Sequence, residues 1–391
     1  MKPLTRWIFP CFCLPTILTG AVQTALAAEP AGGPELVMIA EAKGKNVRNS
    51  EGTLVELQDG ALLLIWQEFE QGPGGDSDFF PSRLAAMTSR DGGRSWGGRR
   101  VLVETAPGDT NVFSPSLVRL QDGGILFCYM TYHGFDKAQN KYPPASAFAL
   151  LSRDEGRTFT PLGTLWKERP ITLASSTLRQ LSGGRVIIPA NRDLSKKGES
   201  DHWEAGVLFT DDGGKTWEWC DSWVDVPMRG AMEPHIAELR DGRLLMVMRT
   251  QLGAVYRAES GDKGKTWSKG TSLGIEAPES CPDLLRIPRT GDLLLVWNAS
   301  RYDPRHFSHF GKRTPLSVAV SRDDGKTWSA PRHIETDPNR AYSNPGSLFT
   351  RDGTLILNYW TCEYQPSGAM SNFPIHLKGA IVGEDWLYGR K

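Results

Sequence analysis

The chain has 391 residues, its 45 Lys and Arg balance 45 Asp and Glu, and 39% of it is hydrophobic. That is enough apolar material for a sizeable core, and nothing in the even charge points to nucleic acid or an anionic membrane surface as the main partner. At the N-terminus, Lys2 and Arg6 precede an apolar run from Trp7 to Val22, and Ala25-Leu26-Ala27 offers a small-residue cleavage site. The run is short and broken by Pro10 and Pro15, so it predicts a secretory signal over residues 1–27, not a spanning helix. A mature chain from Ala28, secreted or periplasmic and without membrane attachment, is the expectation. Removal of the signal leaves Cys128, Cys220, Cys281 and Cys362, read as buried free thiols in a chain long enough to fold without disulfides. No Cys-x-x-Cys or His-x-x-x-His pair occurs, so no metal is expected, and no cofactor is called for.

After an apolar run at Glu35–Ala40, one pattern recurs. Gly52 to Trp66 reads as two apolar stretches around Asp59-Gly60. Asp-Gly between such stretches is a strong hairpin signal, because glycine takes the positive φ of a tight turn. The pattern returns around Asp122-Gly123, Gly183-Gly184, Asp241-Gly242, Thr290-Gly291 and Asp352-Gly353, six times in all.

A second repeat interleaves with it. Ser89-Arg90-Asp91-Gly92-Gly93-Arg94-Ser95-Trp96 recurs at Ser152–Phe159, Thr210–Trp217, Ser260–Trp267 and Ser321–Trp328. This is the S-x-D-x-G-x-T-W pattern, the Asp box, in five copies, the second with Phe159 in place of Trp. The carboxylate can accept from turn N–H groups while the aromatic ring packs between sheets. Each unit thus predicts strand, turn, strand, loop, strand, box, strand. Repetition of four-stranded antiparallel sheets predicts an all-β, six-bladed β-propeller over residues 28–391. The sixth unit has a third strand near Gly379–Val382 and no box. Glu35–Ala40 is expected to complete it and close the ring, leaving no open edge.

Turns and boxes share one face, so chemistry belongs at the other. Residues about 8 to 12 positions before each turn give Arg48, Glu233 and Tyr342. Residues after the second strand or before the third give Asp76, Asp78, Arg249 and Arg313. Arg192, Arg301 and Glu279 lie near the same rim. Any one of these alone reads as a solvated charge, a loop carboxylate or rim packing; convergence around one axis is what points to a site. Three guanidinium forks suit a carboxylate-bearing substrate. A tyrosine beside a glutamate suits nucleophilic catalysis, since phenol, with a pKa near ~10, needs a base to take its proton. An aspartate across the funnel could protonate the leaving oxygen.

In these motifs the sequence resembles the sialidase (neuraminidase) superfamily of Asp-box propellers over essentially all of the mature chain. The resemblance implies a retaining exo-α-sialidase releasing terminal sialic acid, with a tyrosine nucleophile. It implies Arg48, Arg249 and Arg313 as the carboxylate-binding triad, Tyr342 as nucleophile, Glu233 as its base, and Asp76 or Asp78 as acid/base. The family's Arg-Ile-Pro is here Arg48-Asn49-Ser50, and Tyr359 is followed by Trp360 where many members place the glutamate that holds the first arginine. Glu363 and Glu51 are the alternatives for that role. A monomer acting on a sialylated glycan or other acidic sugar is expected. A propeller glycosidase acting on another glycan terminus and a non-catalytic glycan-binding propeller are the rival readings.

Overall fold

Each Asp-Gly pair turns a hairpin as its sequence requires: Gly60, Gly242 and Gly353 sit at φ of 84°, 83° and 90°, where a side chain would be strained. The computed structural model describes residues 32–72, 77–134, 143–196, 201–306, 309–371 and 373–390. The signal segment 1–27 and its cleavage site lie outside the described residues.

Six antiparallel sheets follow one another along the chain. Blade one comprises Asn46–Glu56, Leu62–Glu70, Ser82–Ser89 and Gly97–Glu104. Blade two comprises Asn111–Arg119, Ile125–Tyr132, Ala145–Ser152 and Thr160–Arg169. In blade three the innermost strand is broken into Ile171–Leu173 and Arg179–Gln180, followed by Val186–Asp193, Trp203–Thr210 and Glu218–Trp219. Blade four runs through Met232–Glu238, Leu244–Arg249, Ala254–Ser260 and Thr271–Glu276, and blade five through Asp283–Arg286, Leu293–Asn298, Leu316–Ser321 and Arg332–Glu335. Blade six takes Arg340–Phe349, Leu355–Glu363 and His376–Val382, and Glu35–Ala40 supplies its outer strand. Glu35 pairs with Ile381 and Val37 with Gly379, so the two ends of the chain close the ring. The six-bladed, all-β fold is the one expected.

The second strand of each blade is covered on both faces, which is why Leu62–Ile65, Leu244–Met248 and Leu293–Val296 are almost continuously apolar. The core lies in the seams between neighbouring blades. Phe159, Trp217, Trp267, Trp328 and Trp96 of the five boxes each pack into a different seam. The seam between blades five and six has no box, and Trp386 of the short C-terminal helix Glu384–Leu387 is buried there instead. An aromatic side chain thus fills every seam, the last from a different local structure.

Within a box the aspartate organises the turn. Asp323 accepts from Thr327 N at 2.8 Å, Thr327 Oγ1 at 2.6 Å and Ser321 Oγ at 2.9 Å. These bonds hold its carboxyl down at about 2. The four free cysteines are all buried, as expected.

Candidate functional site

At the face opposite the turns, the innermost strands of four blades share a defect. Register breaks fall between Ser50 and Thr53, Phe113 and Ser116, Met232 and His235, and Ser343 and Gly346. In each bulge one non-glycine residue takes a left-handed φ: Glu51 at 55°, Ser114 at 52°, Glu233 at 45° and Asn344 at 48°. A bulge re-aims a side chain, and these four all line one axial cavity of about 360 Å³. Side chains in this region of φ are strained and persist only where the surroundings hold them.

Arg48, Arg249 and Arg313, from blades one, four and five, line the same cavity. Arg48 bonds Ser50 Oγ at 2.8 Å and Glu51 at 3.3 Å, pairs with Asp78, and stacks over Phe69. Arg249 donates to Glu233 at 2.9 Å and Glu279 at 2.8 Å. Burial works against its charge, but the two carboxylates hold it above the usual range. Arg313 donates to Ser343 Oγ at 2.9 Å and to the Glu279 carbonyl at 3.1 Å. Burial, with Arg249 nearby, lowers it to about 10, so it stays charged at neutral pH. The Nε atoms of Arg249 and Arg313 are buried without a hydrogen-bond partner among the described residues, an arrangement suited to an anion.

Glu233 reaches the cavity as expected. Its Oε2 accepts from Arg249, its Oε1 from Asn344 Nδ2 at 3.4 Å, and its N–H donates to Asn191 at 2.7 Å. Asp78 also lines the cavity, half-buried on Arg48. Asp76 lies outside the described residues.

Tyr342 does not reach the cavity, and its expected role is corrected here. Its ring is 1% exposed within the seam between blades five and six, edge-on to Tyr359 at 6.0 Å. Burial, with the Glu335 and Asp337 carboxylates nearby, raises its hydroxyl far above the ordinary phenol range. Glu335 is held in turn by Tyr359 and Lys378. The reason is register: the bulge falls at Asn344, so Ser343 meets Arg313 while Tyr342 turns to the opposite face. The residue beside Glu233 is Asn344. Its Oδ1 accepts from Trp360 at 3.1 Å and Ser343 at 2.9 Å, which directs its Nδ2 onto Glu233 and, at 3.1 Å, Glu51.

Glu51, one of the two alternatives, bonds Arg48 from the inner side, with Asp78 as the other carboxylate on that guanidinium. Burial raises its carboxyl to about 7 against the pull of Arg48, with Glu233 and Asp78 adding to the rise. Glu363 instead pairs with Arg340 at the surface. Glu279 is the buried counter-ion of the site, bonded to Arg249, Arg229 and Gln251. Arg229, a fourth guanidinium lining the cavity, was not foreseen; it is fixed by Asp201 and Glu279. Nor was His309, whose imidazole is kept neutral by burial and by Arg313, Arg249 and Arg229. Arg192 pairs with Glu204 over Trp223, outside the cavity, and Arg301 lines a different depression. Among the described residues no cluster of His, Cys, Asp and Glu is arranged to hold a metal.

A larger hollow of about 820 Å³ opens at the turn face. Its walls are mostly apolar and its arginines are already paired, Arg119 with Glu155, Arg351 with Glu56 and Arg286 with Asp324. The pair of Arg351 with Glu56 joins neighbouring blades.

The BNR repeat-like domain family matches residues 114–357. A curated sialidase from Micromonospora viridifaciens is 26% identical over 330 residues, covering 77% of this chain and 48% of the relative. The chain therefore spans about half of that relative's length. Among solved structures, the NanB sialidase from Streptococcus pneumoniae superposes with a TM-score of 0.69 at 15% identity, covering 89% of this chain and 70% of that one. The intramolecular trans-sialidase from Ruminococcus gnavus, in complex with oseltamivir carboxylate, gives 0.68 at 16% identity over 90% and 98%. A protein of unknown function from Dyadobacter fermentans gives 0.68 at 19% over 89% and 98%. At these identities the structural likenesses speak to the fold.

Proposed function

Since this chain belongs to the sialidase and BNR-repeat superfamily, we propose that it is a glycoside hydrolase that takes a terminal acidic sugar of the sialic acid class from a glycan. The observation that carries this reading is the convergence of Arg48, Arg249 and Arg313 on one cavity also lined by Glu233 and Asp78. The guanidinium groups bind the sugar carboxylate, two of them with a buried Nε still to be satisfied. Glu233 acts as base, and Asp78 donates to the leaving oxygen at the cavity mouth. Arg48 exchanges its contact with Asp78 for the substrate carboxylate as the sugar seats. The N-terminal signal pattern supports export, and among the described residues no helix is long and apolar enough to cross a membrane.

A tyrosine nucleophile at position 342 is not part of this proposal, since its ring is buried in an interblade seam against Tyr359. Asn344 beside Glu233 would also suit a protein that binds a glycan without cleaving it. One assay separates the two. A fluorogenic α-sialoside is given to the wild type and to Glu233→Gln. The hydrolase reading expects release by the wild type and a loss of at least about 100-fold in the variant. Absence of release by the wild type, with sialic acid still bound, would leave only the binding reading.

A further inference from the structure

We propose that this site hydrolyses by single displacement, with a water activated by Glu233, and frees the sugar with inverted anomeric configuration. The inference rests on the hydrolase reading above and adds the identity of the attacking group. A double displacement needs a side-chain nucleophile whose proton a base can take. Among the described residues, the hydrogen-bond partners of Glu233 are Arg249, Asn344 and the side-chain oxygen of Asn191. None is a hydroxyl or a thiol. Asn344 occupies the place a nucleophile would need, and its amide nitrogen, tied to Glu51 and Glu233 by bonds it donates, has no nucleophilic character to offer.

Among the described residues, none of the other hydroxyl and thiol groups lining the cavity is bonded to Glu233. Ser114 donates to the Leu173 carbonyl at 2.8 Å and Ser371 to that of Phe373. Cys362 is buried, and burial raises its thiol to about 11. Tyr132 lines the cavity from blade two, packed between the rings of Phe79 and Phe113, and is not bonded to Glu233. Glu233 as a direct nucleophile would drive one anion onto a carbon that carries another. Neutral water meets no such repulsion.

The step balances simply. The water oxygen forms a bond to the anomeric carbon and its proton passes to Glu233. The glycosidic C–O bond breaks, and its electron pair leaves on the aglycone oxygen, which takes a proton from Asp78. Attack and departure on opposite faces of the sugar give inversion. Asn344 is a positioning residue here, donating to Oε1 of Glu233 at 3.4 Å.

The experiment follows the first turnovers of a 4-methylumbelliferyl α-sialoside by proton NMR, faster than the free sugar mutarotates. The expected first product is the β-anomer of free sialic acid. Tyr132→Phe is expected to yield the same anomer. The α-anomer as first product would overturn the inference while leaving the hydrolase reading intact. Loss of turnover in Tyr132→Phe by 1,000-fold, with fold retained by circular dichroism, would overturn it also. No release at all from the wild type would overturn both readings.

Discussion

Replacing Tyr342 by phenylalanine separates the sequence expectation from the geometry. The substitution keeps the ring against Tyr359 and removes only a hydroxyl near the Glu335 carboxylate, which keeps Tyr359, at 2.8 Å, and Lys378 as donors. No carboxylate is left bare, so a loss of no more than about 1 kcal/mol is expected, roughly a fivefold shift in the unfolding equilibrium. Urea titration should show a lower midpoint with an unchanged slope, and kcat/KM on a fluorogenic sialoside should stay within about twofold. A fall of 1,000-fold in kcat at unchanged stability would refute the placement of Tyr342 in the seam and restore it as nucleophile.

Three further outcomes follow from the same contacts. Glu279→Gln should cost about 3–5 kcal/mol in denaturant titration, because it strips the buried charge shared by Arg249 and Arg229; a cost under 1 kcal/mol would contradict the network. Glu51 has its carboxyl raised to about 7 from an ordinary 4.5, so its protonated form is favoured by folding. Stability should therefore be lost as pH rises from about 4.5 to about 7, by up to about 3 kcal/mol. Glu51→Gln should flatten that slope. The box carboxylates carry the opposite sign: Asp91, Asp154 and Asp323 are held at about 2, so their contribution is complete above the unfolded value near ~4 and disappears as pH falls toward 2. Asp323→Asn should reduce the acid sensitivity of the melting temperature.

The fold was legible because each blade repeats its signals: a turn dipeptide, an aromatic box and an apolar second strand. Even the closing strand Glu35–Ala40 could be placed, since a ring cannot leave an edge. The arginines were legible too, being charged residues at the ends of apolar runs. Tyr342 was misplaced because its side-chain face depends on a bulge, and alternation alone does not reveal one. A signal was nevertheless present. Glu51, Ser114, Glu233 and Asn344 each stand eight residues before the Asp of their turn, and each precedes a glycine or a proline. That shared position marks Asn344 as the counterpart of Glu233, with Tyr342 two residues too early. Arg229 and His309 carried no comparable mark, because they reach the cavity from irregular loops outside the repeat. The break in the inner strand of blade three was equally silent, although it brings Ser175 Oγ to Glu51 at 3.0 Å.

The account stands on recognition of a sugar carboxylate by Arg48, Arg249 and Arg313, and isothermal titration with sialic acid and with its methyl ester measures that directly. The ester keeps the shape and removes the charge. We predict that the acid binds at least about 30-fold more tightly, a difference of about 2 kcal/mol, and that Arg249→Met abolishes the preference. Equal affinity for acid and ester in the wild type would contradict it.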